Sequence, residues 1–146
     1  MIQIQNILAP VEFDIAFDEV VQAAVQFARV FQARLFFLHV DDPLAGAPSM
    51  VAGSIHTPAQ TPADLQARVA RFAPAEMLAA ASATFHVRRG EDIAAEIVEF
   101  SRSHAIDLIV LGNWRKGVFS KLFFSSVEDE VIHQAPCHVL TVCAKK

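Results

Sequence analysis

Glycine, cysteine and charge are all scarce in this chain. Charged residues make up 19% of its 146 positions, and the formal net charge is −4. A nucleic-acid partner would want a basic face. The basic residues cluster only in short runs, Arg88-Arg89, Arg115-Lys116 and Lys145-Lys146, so no nucleic acid is expected. No apolar run approaches the ~20 residues that cross a bilayer. The start, Met1-Ile2-Gln3-Ile4-Gln5-Asn6, has neither the basic region nor the cleavage site of a secretory leader. The expectation is a cytoplasmic protein with no membrane partner.

The two cysteines, Cys137 and Cys143, share one apolar segment. If it is a strand, six residues at ~3.3 Å each hold them ~20 Å apart. A disulfide needs Cα atoms within ~7 Å, so both are read as buried structural thiols. His133, Cys137 and His138 fit no common zinc spacing, and no metal site is expected there. No nucleophile, base and acid come together either. The histidine nearest Ser125 and Ser126 is His133, about two helical turns along, and an enzyme is not expected.

Hydrophobic residues are plentiful, at 53%, which with low charge marks a globular chain. The length suits one domain over residues 1–146. Short apolar runs alternate with helical patterns. Asn6–Val11 reads as a strand, and Phe17, Val20, Val21, Ala24, Phe27, Ala28 and Phe31 recur at helical spacing. Arg34–Val40 reads as a strand covered on both faces. Residues 41 to 61, with Pro43, Pro48, Pro58, Gly46 and Gly53, read as a long loop, of the kind that is functional or disordered. Thr61-Pro62 opens a helix as N-cap and first helical residue. Pro74 ends it, kinks it or starts a further turn.

Ala83–Arg89 alternates, with Phe85 and Val87 facing one way and Thr84, His86 and Arg88 the other, as in an edge strand. A helix through Ile93, Ala94, Ile97 and Phe100 follows. Then come a strand over Asp107–Leu111, a helix over Ser125–Gln134 and a last strand over His138–Cys143. Regular βα alternation predicts one doubly wound α/β domain, a parallel sheet with helices on both faces.

In such folds ligands bind beyond the carboxyl ends of the strands, where strand order reverses. Three loops qualify, after Val11, after Val40 and after Leu111. The third, Gly112-Asn113-Trp114-Arg115 through Ser125-Ser126, has the frame of a phosphate site, with a strand ending in glycine, a loop, then hydroxyl residues opening a helix. Most of the glycines of such a loop are missing.

The chain resembles the universal stress protein family over nearly its whole length. The residues that carry the likeness are Ile7-Leu8-Ala9-Pro10-Val11, Leu38-His39-Val40, Gly90, Asp107-Leu108-Ile109-Val110-Leu111-Gly112 and Ala135-Pro136-Cys137-His138-Val139-Leu140-Thr141-Val142. The resemblance implies a five-stranded parallel sheet in the order 3-2-1-4-5 and a homodimer. ATP-binding members share a pattern of Gly, two residues, Gly, nine residues, Gly, then Ser or Thr. Laid on this chain it begins at Gly112 and ends at Ser126, with Arg115 and Ser125 at the second and third glycine positions. The implied cofactor-binding residues are Pro10, Val11, Glu12, Val40, Gly112, Asn113, Arg115, Lys116, Ser125, Ser126 and Val127. Val40 falls where ATP binders place a valine near the base, and Glu12 stands where the family tends to have Asp.

Arg115 puts a large side chain where a glycine lets backbone approach phosphate, although a guanidinium can also hold phosphate in another geometry. Ser125 is a milder change, since its N–H and hydroxyl both donate. Glu12 would crowd an adenine pocket. The stretch Phe119–Ser126 is similar to the UspA-like branch that works without ATP. No cofactor is therefore expected, with ATP and Mg²⁺ as the alternative.

Asp14, Asp41 and Asp42 are Mg²⁺ candidates, with an N-cap role for Asp14 favoured. His39 is read as a hydrogen-bonded core or rim histidine. Trp114 is a loop anchor or a ligand contact. In the implied order the last strand is an apolar edge, a hazard unless paired. The expectation is a homodimer through His138–Cys143, acting through protein contacts with partners the sequence does not name. The alternative function is a nucleotide-dependent switch.

Overall fold

The computed structural model describes residues 1–13, 16–43, 60–113 and 127–143. The strands are β1 (Asn6–Pro10), β2 (Arg34–Asp41), β3 (Thr84–Arg89), β4 (Leu108–Asn113) and β5 (His138–Cys143). The helices are α1 (Phe17–Phe31), α2 (Pro62–Val69), α3 (Ala75–Ala80), α4 (Ile93–Ser103) and α5 (Val127–Gln134). The sheet runs β3-β2-β1-β4-β5, every pair parallel.

Two apolar layers sandwich this sheet. Odd positions of β1 (Ile7, Ala9) meet α1, α2 and α3 through Val21, Ala24, Leu65 and Val69. The even position Leu8 meets α4 and α5 through Ile97, Phe100 and Val131. Period-two alternation on a central strand thus feeds both cores, and β1 is buried along its whole length. The amino ends of β1 and β4 are tied together by Asp107, whose Oδ2 accepts from the backbone N–H groups of Gln5 (2.8 Å) and Asn6 (2.9 Å).

The helices follow their local chemistry. Thr61 caps α2 by accepting from the Asp64 N–H, and Asp64 accepts from the Thr61 N–H in return, with Pro62 next in line. The Thr61 hydroxyl also donates to Asp64 Oδ2 at 2.8 Å, and this bond first, then the one from the Thr61 N–H, holds the Asp64 carboxyl below its ordinary value. Pro74 does not extend that helix. It stands at the N-cap of α3, which adds one helix to the simple alternation.

Helix α1 begins at Phe17 with Ala16 at its N-cap and no side-chain cap. Asp14, expected there, lies outside the described residues, and Asp18 and Glu19 supply negative charge in the first turn instead. Phe31, expected on the buried face, is exposed. It stacks on Phe27 at 6.1 Å, while Val25 takes an inward position. Beyond Phe31 the chain turns back through Gln32 at φ 54°.

Cys137 precedes β5 and Cys143 ends it. Neither is fully buried: Cys137 is intermediate and Cys143 exposed. An edge strand has a neighbour on one side alone, which leaves its last residue open.

Candidate functional site

Strands β2 and β4 flank β1 on opposite sides, so the chain reverses its direction of strand addition between β1 and β4. The crevice at that switch point is bounded by the residues just after β1 and by the end of β4. Pro10, the last residue of β1, pairs with Leu38. The Val11 N–H donates to the Leu38 carbonyl at 2.8 Å, which prolongs the ladder by one step. Val11 and Val40 are buried. Glu12 is exposed. Asn113 and Gly112 are half-buried at the end of β4, and Val127 opens α5 on an exposed turn. Arg115, Lys116, Ser125, Ser126 and Trp114 lie outside the described residues, as does most of the 41–61 segment.

Gly112 has a packing reason for lacking a side chain. A Cβ there would stand 3.0 Å from Val20 Cγ2 and 3.3 Å from Ala16 Cβ. The first turn of α1 leans directly on the β4 backbone, where a side chain would press on Val20 and Ala16. The sequence offered phosphate approach as the reason for a glycine here, and helix–strand contact is a second one.

The most developed polar arrangement centres on His39. The ring is buried, its Nδ1 2.9 Å from the Val11 carbonyl oxygen and its Nε2 2.9 Å from Asp41 Oδ1. A carbonyl can only accept, so Nδ1 carries the hydrogen. Asp41 Oδ2 in turn accepts from the Gln60 N–H at 2.9 Å, and the Asp41 carbonyl accepts from the Gly90 N–H at 3.0 Å. Two side chains and one carbonyl of β2 therefore brace the exit of β1, the entry to α2 and the end of β3. Both carboxylate oxygens of Asp41 are engaged, one by His39 and the other by Gln60. Among the described residues no group of three or more His, Cys, Asp or Glu is arranged to hold a metal ion.

Over this brace lies an aromatic cover. Phe13 meets the His39 ring edge-on at 4.6 Å and stacks with Phe17 at 5.7 Å. The Arg68 guanidinium of α2 lies 5.0 Å from the centre of each phenyl ring, a cation–π clasp. His39 is thus the hydrogen-bonded rim histidine that its position suggests. Its partner Asp41 was readable as an i, i+2 neighbour on the same strand face. Phe13, Gln60 and Arg68 carried no such local signal.

Cys137 is far from this end of the sheet. Burial first, and Asp107 second, push its thiol up to about 11, against a partial offset from the Ile109 backbone. It is an inert sulfur.

The family model described as the universal stress protein family matches residues 3–142. This chain belongs to that family. Its members with solved structures reproduce the fold. A universal stress protein in complex with cAMP is 19% identical, with a TM-score of 0.69, covering 98% of this chain and 99% of that one. The UspA protein from Lactobacillus plantarum is 24% identical, with a TM-score of 0.65, covering 96% and 98%. A universal stress protein from Archaeoglobus fulgidus in complex with dAMP is 20% identical, with a TM-score of 0.54, covering 99% and 100%. No curated protein matches the chain. The order 3-2-1-4-5 implied by the family resemblance is the order in the sheet.

Proposed function

We propose that this universal stress protein is a non-enzymatic, cytoplasmic stress-response module of one domain over residues 1–146. It works as a homodimer through protein contacts and without ATP. The observation that carries the ATP half of this reading is Arg115 and Ser125 at two glycine positions of the ATP pattern, where a side chain stands in place of the bare backbone that approaches phosphate. The packing reason for Gly112 points the same way.

The dimer half rests on the two edges of the sheet. The β3 edge carries Arg88 and Arg89, the charged kind of edge that resists further pairing. Strand β5, His138-Val139-Leu140-Thr141-Val142-Cys143, has no Lys, Arg, Asp or Glu. Pairing with β5 of a second copy satisfies its open backbone groups under two-fold symmetry.

One observation favours the alternative, a nucleotide-dependent switch. Relatives of the same fold have been crystallised with cAMP and with dAMP. Both carry a single phosphate, which asks less of a glycine-rich loop than a triphosphate does. In that case Pro10, Val11, Glu12, Val40, Gly112, Asn113, Arg115, Lys116, Ser125, Ser126 and Val127 would line the site. Acid extraction of freshly purified protein, followed by anion-exchange chromatography, separates the two readings. The present proposal expects no stoichiometric nucleotide, and one nucleotide per chain would replace it with the switch.

A further inference from the structure

On the far edge of the sheet, away from the crevice, four rings form a column. Phe36 of β2, His86 of β3, and Phe100 and His104 of α4 are all within ring contact. His86 lies 5.0 Å from Phe100, 5.7 Å from His104 and 6.1 Å from Phe36. His104 stacks flat on Phe100 at 3.8 Å and meets Phe36 edge-on at 5.6 Å. Both imidazoles are fixed by short-range bonds. His86 Nε2 lies 2.9 Å from Thr84 Oγ1, and His104 Nδ1 lies 3.0 Å from the Phe100 carbonyl and 3.0 Å from Ser103 Oγ. Neither histidine has a role in the candidate site.

We propose that His86, packed against Phe100 and His104, forms an acid-sensitive latch between edge strand β3 and helix α4. The latch is closed while the His86 ring is neutral and loosens as it takes up a proton. The charged groups facing His86 make the case. From β3 comes Arg88, whose guanidinium lies 5.0 Å from the Phe100 ring centre. From α4 come His104 and Glu96, and Glu96 is already engaged by Arg88 at 3.5 Å. From β2 comes the uncharged Phe36. Protonating His86 would therefore set a second positive charge beside Arg88, facing one carboxylate that is already paired.

The sense of the effect follows. Burial first, then His104 and Arg88, hold His86 below its ordinary value of 6.5. The unfolded chain consequently binds this proton more readily than the folded one. The stabilisation is present above 6.5 and is lost as pH falls from there through the folded value. Its structural location is narrow, because β3 is an edge strand whose partner on the sheet is β2 alone. Loosening there frees one margin of the fold and leaves the central strands in place.

The test is thermal unfolding of the full chain at pH 7.5 and 5.5, together with NMR titration of the imidazole C–H signals. Wild type is expected to lose about 2 °C more in Tm over this interval than His104→Phe, which keeps a flat ring over Phe100 without a charge. In the same variant the His86 midpoint should rise. His86→Gln, which retains a polar partner for Thr84, supplies a second comparison should the phenylalanine repack. Backbone amide signals that shift between the two pH values should concentrate in β3 and α4. Equal losses of Tm in wild type and both variants, or an unmoved His86 midpoint in His104→Phe, would overturn the latch.

Discussion

His39 and Asp41 stand two residues apart on β2 and join through a 2.9 Å contact between Nε2 and Oδ1. With Nδ1 donating to Val11, the ring nitrogens face a carbonyl on one side and a carboxylate on the other. The pair is thus a brace whose two ends reach β1 and, through Asp41 Oδ2, the Gln60 N–H.

Removing the ring should be felt across all these contacts. His39→Ala is expected to cost about 2 to 3 kcal/mol in urea unfolding, because it strands a carbonyl and a part-buried carboxylate besides leaving a cavity. His39→Gln should recover part of that loss. A change below about 0.5 kcal/mol in His39→Ala would mean that the brace carries no stability.

Gly112 offers a sharper test of packing. Gly112→Ala places a methyl group 3.0 Å from Val20 Cγ2 and should destabilise by about 1 to 3 kcal/mol. Val20→Ala in the same molecule removes that obstruction, so the two losses should add to less than their sum. Strict additivity would show that the glycine is held for another reason.

The dimer proposal is checked by sedimentation. Leu140→Lys places a charge on the one apolar edge of the sheet. Analytical ultracentrifugation should find a dimer for wild type and a monomer, or insoluble protein, for the variant. A variant dimer of unchanged stability would rule β5 out as the interface.

The cysteines differ in a measurable way. With its thiol raised from 9.0 to about 11, Cys137 should form about a hundredfold less thiolate at pH 8 than an ordinary cysteine. In a Cys143→Ser background, labelling of Cys137 by a disulfide reagent should be slower by about tenfold or more than in the urea-unfolded chain, because the greater nucleophilicity of a more basic thiolate offsets part of its scarcity. Comparable rates would contradict its burial.

Much of this fold was legible residue by residue. The period-two pattern of β3 placed Phe85 and Val87 on one face and His86 and Arg88 on the other, and the packing agrees. Thr61-Pro62 marked the start of α2 because capping is local chemistry. Pro74 was ambiguous, since a proline ends one helix and begins the next equally well, and the structure shows the latter. Phe31 was misplaced because helical spacing continues past the point where α1 has sheet beneath it. The site was less legible than the fold. The Phe13–Arg68 clasp joins residues 55 positions apart, and no local pattern announces it. Gly112 was readable as a glycine that mattered, but its reason lay in Val20 and Ala16, which the fold alone brings near.

The central claim is that this universal stress protein has given up ATP, and titration calorimetry tests it most directly. Protein stripped of nucleotide is titrated with ATP and Mg²⁺, with Arg115→Gly run alongside. The account predicts no binding heat for wild type at submillimolar ATP. Micromolar binding by wild type would contradict it, and weaker binding by Arg115→Gly in that case would make Arg115 a phosphate ligand.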